Sequence, residues 1–117
     1  MRNRAERGDV VLVPFPNSDL RTAKLRPALI VQSDSIESEL SQVMVAMISS
    51  NLQRAGKKSR VAIEIDTEAG RRSGLRSDSV IMTDNLATIL RSEVVRTIGR
   101  LEDMSGVDKA LCHSLGL

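Results

Sequence analysis

Aromatic residues are almost missing from this 117-residue sequence, which has no tryptophan, no tyrosine and one phenylalanine, Phe15. Proteins that hold single strands by stacking successive bases on aromatic rings need several such side chains. The aromatic signature of the RRM needs them too. Both classes are excluded, so any grip on a nucleic acid would depend on arginine side chains and backbone donors.

Cysteine and histidine are equally scarce, with Cys112 and His113 as single copies. They cannot supply the four ligands of a structural zinc site, or a disulfide within one chain. A nucleophilic site of the Ser-His-Asp or Cys-His type would have to use His113, close to the end of the sequence. The acidic residues are spread out, without the clustering of a two-metal nuclease site. We therefore expect no metal and no cofactor.

Long apolar runs are absent as well, and the longest stretches, such as 43–48, are too short to span a bilayer. Residues 1–7 are strongly charged, and no apolar segment of a secretion signal follows them. Together with the lone cysteine, these features predict a cytoplasmic protein with no membrane partner. The length predicts a single domain over residues 1–117, with residues 1–6 as a flexible N-terminus.

What the sequence does contain is a series of short apolar or alternating segments separated by turn residues. Their length and their β-branched residues are typical of strands. They cover residues 9–16, 27–32, 43–48, 61–66, 79–82, 85–90 and 96–101. Apolar residues at three- and four-residue steps between Met104 and Leu115 predict an amphipathic helix. We therefore predict a mainly β fold, a small closed or nearly closed antiparallel barrel with a C-terminal helix.

The segment Lys24-Leu25-Arg26-Pro27 is the first candidate site. Pro27 keeps Arg26 out of helical dihedral angles, so its guanidinium projects from a stiff strand start. A planar, permanently charged group at such a position suits capture of a phosphate by two parallel hydrogen bonds. An ordinary salt bridge at the edge of a strand explains the same residues. The local sequence leaves both interpretations open.

Two further candidates are polar or basic segments that follow predicted strands. Ser49, Ser50 and Asn51 bring hydroxyl and amide groups that can bond a phosphate or a ribose, although such residues also serve as plain turn residues. The loops 54–60 and 68–76 are rich in lysine and arginine. Their cations suit a single-stranded nucleic acid, and solvated surface charge is the alternative.

Taken together, these segments resemble the PemK/MazF family of toxin endoribonucleases. The resemblance rests on five segments in the same order, followed by the final helix: Arg7 to Val13, Lys24 to Gln32, Val45 to Ser50, Gly74 to Ile81 and Ile98 to Leu101. It implies an SH3-like β-barrel of the PemK/MazF/CcdB type and a homodimer. It also implies metal-independent, sequence-selective cleavage of single-stranded RNA by an mRNA interferase, which a cognate antitoxin protein inhibits.

Carried over position by position, Arg26 corresponds to the catalytic arginine of the family and Ser49 to its catalytic hydroxyl residue, which is typically threonine. We expect attack by the RNA 2′-hydroxyl on the adjacent phosphate. The RNA-binding candidates are Lys24, Ser50, Asn51, Arg54, Arg71 and Arg76. The family's usual Gln-x-Arg-Thr-Ile segment appears here as 85–89, where Ala87 replaces a cation.

Two other functions are compatible with the same barrel. A non-enzymatic toxin resembling CcdB would poison DNA gyrase through a protein interface, with its contacts on the C-terminal helix. A catalytically weakened barrel would bind RNA in a salt-dependent way without cutting it, which the loss of a cation at Ala87 favours. An RNA cleavage assay beside a gyrase supercoiling assay separates these functions from the ribonuclease.

Overall fold

The computed structural model describes residues 5–36 and 41–117, and every structural statement concerns those residues. The strands and helices, in chain order, are β1 (Asp9–Pro16), β2 (Ala23–Ile30), β3 (Gln42–Ser49), β4 (Arg60–Ile63), α1 (Glu68–Ser73), β5 (Ser79–Leu90), β6 (Arg96–Arg100) and α2 (Ser105–Leu115). Short 3-10 helices cover Leu52–Arg54 and Arg91–Glu93. Within these ranges, neither helix is long and apolar enough to cross a membrane.

The strands form one antiparallel sheet in the order β4-β5-β3-β2-β1-β6. β1 and β2 are joined by a short loop and pair so that Val13 lies opposite Arg26. The predicted mainly β fold with a C-terminal helix is confirmed. The sheet order has two ends, β4 and β6, which do not pair with each other in the described part of the chain, so closure into a barrel is not shown.

Apolar side chains cover both faces of the sheet, as β3 illustrates. Val43, Val45 and Met47 belong to one buried cluster, while Ala46 and Ile48 belong to a second. The second cluster is covered by α2, which contributes the buried Val107. A sheet with both faces buried has strands that are almost continuously apolar, which is why strict alternation is weak in this sequence.

The segment 68–76 contains a helix, and its prediction as a loop was wrong. α1 begins after Thr67, whose hydroxyl oxygen accepts a hydrogen bond from the Gly70 amide at 3.1 Å. It ends at Gly74, which has a left-handed φ of +73° that glycine adopts without strain. A six-residue helix with a glycine in it has too little periodicity to be recognised in the sequence.

Three further predictions were wrong in detail. The segments 79–82 and 85–90 are one strand, β5, whose register shifts between its pairings with Ala46 and Met47. β2 begins at Ala23, four residues before the predicted start. β4 ends at Ile63, three residues before the predicted end.

The described part of the N-terminus is fixed by hydrogen bonds. The Arg91 guanidinium donates to the Ala5 carbonyl at 3.0 Å, and the Glu6 amide donates to the Asp9 carboxylate at 2.8 Å. Ala5 and Glu6, which fall within the flexible terminus predicted for residues 1–6, thus have hydrogen-bond partners, and their flexibility stays a prediction. Residues 1–4 of that prediction lie outside the described residues.

Candidate active site

A cleft of about 470 Å³ opens where β1, β2, β3, β6, the start of β5 and the segment after α1 meet. We call it the basic cleft. Five of the eight residues predicted from the sequence line it: Lys24, Arg26, Ser49, Ser50 and Arg76. No carboxylate from the described residues is in its lining. The fold therefore brings cations and hydroxyl groups from distant parts of the chain to one place.

Arg26 lies in β2 and is half-buried. Its Nη2 atom donates a hydrogen bond to the Asn17 Oδ1 atom at 3.1 Å, and its Nε atom is buried without a partner in the described structure. The ion pairs formed within residues 5–36 and 41–117 do not include Arg26. The salt bridge considered from the sequence is thus absent there, and the charge is available to an anion.

Ser49 is the last residue of β3 and lines the same cleft. The hydroxyl oxygen accepts a hydrogen bond from the Asn51 amide at 3.1 Å, which leaves the hydroxyl hydrogen to donate elsewhere. The Asn51 side chain accepts from the Gln53 amide at 3.1 Å and caps the 3-10 helix that follows. Ser49 and Ser50 line the basic cleft, whereas Asn51 lies outside its lining.

Arg54 is exposed and lines a second cleft of about 360 Å³, on the side of the β1–β2 loop. Its guanidinium is 3.6 Å from the Met82 sulfur. Arg26 lines this second cleft as well, together with Asn85 and Ala87. Arg26 is therefore the residue that the basic cleft and this second cleft share.

Arg71 is on α1, away from both clefts. Its guanidinium donates to the Glu68 carboxylate at 3.2 Å and to the Asp66 carbonyl at 2.9 Å. The Arg71 hydrogen bond, assisted by the charge of Arg72, holds the pKa of Glu68 below its ordinary value. The charge of Arg71 is engaged within its own helix.

Arg96 is a cleft residue that the sequence interpretation did not single out. It lies in β6 opposite Leu12 of β1, and both residues line the basic cleft. Ile98, two positions further along the strand, lines it too. The sequence does contain a signal for Arg96, because residues two apart on a strand, such as Arg96 and Ile98, share a face of the sheet. Only the pairing of β6 with β1 shows which face that is.

The chemistry of the basic cleft is that of an anion-binding site. Guanidinium, ammonium and hydroxyl groups donate hydrogen bonds to phosphate oxygens and stabilise negative charge on them. Across residues 5–36 and 41–117 there is no group of three or more His, Cys, Asp or Glu side chains that could hold a metal ion.

This combination of fold and cleft defines a small, mainly β protein that presents clustered cations to an anion. A family model described as "PemK-like, MazF-like toxin of type II toxin-antitoxin system" matches residues 6–115. "Endoribonuclease EndoA" of Bacillus subtilis (strain 168) is 33% identical over 115 residues, which cover 96% of this chain and 95% of that protein. The chain belongs to the family of PemK-like, MazF-like toxins, as the sequence resemblance predicted.

Two further comparisons agree with this membership. "Probable endoribonuclease MazF" of Mycolicibacterium smegmatis is 32% identical over 98 residues, which cover 82% of this chain and 84% of that protein. A solved structure of an endoribonuclease in complex with its cognate antitoxin, from a mycobacterial species, has a TM-score of 0.74 at 20% identity. It covers 97% of this chain and 96% of that chain, and at this identity it shows a shared fold.

Proposed function

We propose that this protein is an endoribonuclease toxin, an mRNA interferase that cuts single-stranded RNA within a type II toxin–antitoxin system. The observation that carries the proposal is the basic cleft, whose lining contains both Arg26, with no carboxylate partner in the described structure, and Ser49, at the end of β3. The names of the two curated relatives support it, since both name an endoribonuclease activity.

In the proposed reaction the RNA supplies its own nucleophile. The 2′-oxygen attacks the adjacent phosphorus and loses its proton, while the bond from phosphorus to the 5′-oxygen breaks and that oxygen gains a proton. The products are a 2′,3′-cyclic phosphate and a 5′-hydroxyl end. No metal ion takes part. Holding the nucleophile and the phosphate in line supplies much of the acceleration in reactions of this kind.

Arg26 and Ser49 are the catalytic residues in this proposal. Negative charge grows on the non-bridging phosphate oxygens in the transition state, and preorganised donors aimed at them lower the barrier. Arg26 supplies N–H donors that no carboxylate in the described structure neutralises, and Ser49 supplies a hydroxyl hydrogen. Arginine stays protonated at all working pH values, so Arg26 acts through charge and hydrogen bonds.

The remaining cations and the Ser50 hydroxyl bind the phosphates on either side of the one that is cut. Lys24, Ser50, Arg76 and Arg96 hold the strand in the basic cleft, and Arg54 extends the surface along the second cleft. Asn51 and Arg71, also predicted to bind RNA, contribute less to RNA binding, because the Asn51 side chain accepts from the Gln53 amide and Arg71 pairs with Glu68. Contacts of this kind make binding weaken as salt rises.

The same proposal includes the partners expected from the sequence. A cognate antitoxin inhibits the toxin, and a basic cleft suits an acidic, disordered peptide segment. One solved neighbour is an endoribonuclease in complex with its antitoxin. We place the toxin in the cytoplasm, where its mRNA substrate is, as a homodimer of one domain that spans residues 1–117.

We further propose that the sheet is bent into an SH3-like barrel of the PemK/MazF/CcdB type. α1 follows β4, at one end of the strand order, yet it contacts β6 at the other end. The contact is close, because a Cβ atom on Gly99 would lie 2.2 Å from the carbonyl carbon of Ser73. A flat six-stranded sheet would keep its two ends far apart, so this contact supports strong bending.

The direct test is cleavage of a mixture of unstructured RNAs in the presence of EDTA. We expect cuts with 5′-hydroxyl ends, and we expect Arg26→Ala to lower the rate about 100-fold or more with unchanged circular dichroism. Arg72→Ala is the matched control, since Arg72 is exposed on α1, lines neither cleft and bonds to Glu68. RNA left intact by the unmodified protein across varied sequences would refute the proposal. Salt-dependent binding without cleavage would indicate the weakened RNA-binding barrel.

A further inference from the structure

The loop between β1 and β2 contains a chain of side-chain hydrogen bonds that ends on Arg26. The Thr22 hydroxyl donates to the Asp19 carboxylate at 3.0 Å. The side-chain Nδ2 atom of Asn17 donates to the Thr22 hydroxyl oxygen at 2.9 Å, and Nη2 of Arg26 donates to the side-chain Oδ1 atom of Asn17 at 3.1 Å. Three loop residues are therefore connected to the guanidinium in one continuous series.

The donors and acceptors in this series fix its direction. An ionised carboxylate only accepts, so the single hydroxyl hydrogen of Thr22 is directed to Asp19. The Thr22 oxygen then accepts from the amino group of Asn17, which turns the amide oxygen of Asn17 toward Arg26. Backbone hydrogen bonds from Arg21 and Thr22 lower the pKa of Asp19, which keeps it in the accepting form.

The loop itself is held in one conformation by its backbone. The backbone N–H of Asn17 donates to the backbone carbonyl of Thr22 at 2.8 Å, and the backbone N–H of Leu20 donates to the backbone carbonyl of Asn17 at 2.9 Å. Between them, Leu20 has a left-handed φ of +59°, which is costly for a residue with a β-carbon. Its side chain is 82% exposed, so core packing does not explain the conformation. Backbone strain of this kind is concentrated at functional sites.

We propose that Asn17 is the positioning residue for Arg26, and that Thr22 and Asp19 set the orientation of its amide. This inference rests on the proposed ribonuclease function. The neutral amide oxygen fixes Nη2 of Arg26 without neutralising its charge. A carboxylate in its place would form an ion pair and compete with the phosphate for the guanidinium. The remaining N–H groups of Arg26, including the unpartnered Nε, stay available to the RNA.

A matched pair of substitutions at Thr22 tests the series without touching either cleft. Thr22→Val keeps the shape and removes the hydroxyl, whereas Thr22→Ser keeps the hydroxyl. We expect Thr22→Val and Asn17→Ala to lower the single-turnover cleavage rate by about 10- to 100-fold, because a misplaced catalytic group is inefficient. Thr22→Ser should retain most of the rate. Binding of an uncleavable 2′-O-methyl RNA should change little for the Thr22 pair.

Asn17→Asp separates positioning from a merely structural role. The aspartate keeps the size and an acceptor for Arg26, loses the donor to Thr22 as Asn17→Ala also does, and adds the charge that the proposal forbids. We expect cleavage to slow at least as much as in Asn17→Ala, with weaker binding of the uncleavable RNA and a melting temperature no lower than that of Asn17→Ala. A residue that only braces the loop would leave Asn17→Asp active, and that result would overturn the assignment.

The unmodified protein and Arg26→Ala are measured beside these variants, so that a failure of the positioning role can be distinguished from a failure of the proposed function. If the unmodified protein cuts, Arg26→Ala does not, and the Thr22 and Asn17 variants cut at the unmodified rate, the positioning role is refuted and the proposed function stands. Equal losses in Thr22→Val and Thr22→Ser also refute it. If the unmodified protein leaves all RNA intact, the proposed function fails and this inference fails with it. Should Asn17→Ala unfold, the Thr22 pair decides the question.

Discussion

Arg26 is the residue on which the proposed chemistry of the basic cleft depends, and its environment is costly for a cation. The side chain is half-buried, its Nε atom lacks a hydrogen-bond partner in the described structure, and its one side-chain partner is the neutral Asn17. A buried donor left without a partner destabilises the folded state by about 1–3 kcal/mol. Sites arranged for binding commonly carry such costs, because the missing partner is the ligand.

This cost predicts that Arg26→Met leaves the fold at least as stable as the unmodified protein. Methionine is similar in length and has no donor to leave unsatisfied, so we expect the free energy of unfolding in urea to rise by about 1 kcal/mol. RNA cleavage should be lost in the same variant. A drop of more than about 1 kcal/mol would mean that Arg26 holds the structure together.

Ala87 gives a second prediction at the residue scale. It lines the second cleft beside Arg26, at the position where the family's usual segment has a cation. Ala87→Arg should tighten RNA binding and steepen the dependence of log affinity on log salt by about one unit, as expected for one added phosphate contact. Fluorescence anisotropy with an uncleavable RNA over a salt series measures both quantities. An unchanged slope would show that RNA does not pass over this position.

The sequence predicted Arg26 and Ser49 as candidates because their signals are local. Pro27 marks the start of an apolar segment after a cation, and Ser49 ends another apolar segment. Asn17 and Arg96 escaped prediction because they reach the site only through the loop hydrogen bonds and the pairing of β6 with β1. Such tertiary contacts leave no pattern in the residues next to them.

Among the elements, α1 is notable because it follows β4, at one end of the strand order, and contacts β6 at the other end. Helix and strand approach so closely that glycine is required at Gly99, where a Cβ atom would lie 2.2 Å from the Ser73 carbonyl carbon. The segment after α1 contributes Arg76 to the basic cleft, and β6 contributes Arg96. Elements on both sides of this contact therefore contribute a cation to the cleft.

Gly99→Ala should accordingly destabilise the protein by about 1–3 kcal/mol, the usual cost of overpacking, and lower RNA cleavage by moving Arg96. Gly106 in α2 offers a matched control, since a Cβ atom there would meet its nearest neighbour, Val61, at 3.9 Å. Gly106→Ala should stabilise the fold by about 0.5–1 kcal/mol, because alanine favours a helix. Thermal unfolding of both variants tests the contact, and equal melting temperatures would contradict it.

β4 and β5 are joined by an ion pair that predicts an acid dependence. Arg60 donates to both carboxylate oxygens of Asp84, at 3.0 and 2.9 Å. The hydrogen bonds from Arg60 lower the pKa of Asp84. A lowered carboxyl pKa contributes stability above the unfolded-state pKa, and this contribution is lost as the pH falls below about 4.

The measurement is urea unfolding of the unmodified protein and Asp84→Asn across pH 2–7. The unmodified protein should be the more stable at neutral pH, and the difference between the two should shrink below about pH 4. A difference that does not depend on pH would show that the charge of Asp84 adds nothing to the pairing.

At the scale of elements, the prediction of strands depended on buried β-branched segments. β1, β3 and β6 were found within two residues of their observed ends, because apolar runs bounded by turn residues are strong signals. α1 was missed because it is short, and its ends are set by Thr67 and Gly74. β5 was divided in two because its register shift interrupts the apolar pattern.

The whole molecule has a small net charge, and its distribution matters more than its sum. Seventeen lysine and arginine residues face fifteen aspartate and glutamate residues, a net charge of +2. Several carboxylates pair away from the basic cleft, as Asp9 does with Arg100 and Glu68 with Arg71. Lys24, Arg26, Arg76 and Arg96 are left together around one concave surface. A nearly neutral protein can thus present a positive cleft that concentrates an anionic strand.

In the proposed chemistry, this cleft breaks an RNA strand through the RNA's own 2′-hydroxyl, without a metal ion. The most direct measurement compares, in EDTA, an RNA that the protein cuts with the same strand carrying a single 2′-deoxy nucleotide on the 5′ side of the cut. We predict rapid cleavage of the first, ending in a 2′,3′-cyclic phosphate, and no cleavage of the second at that position. Cleavage of both strands, or activity that appears only when a divalent metal is added, would contradict the account.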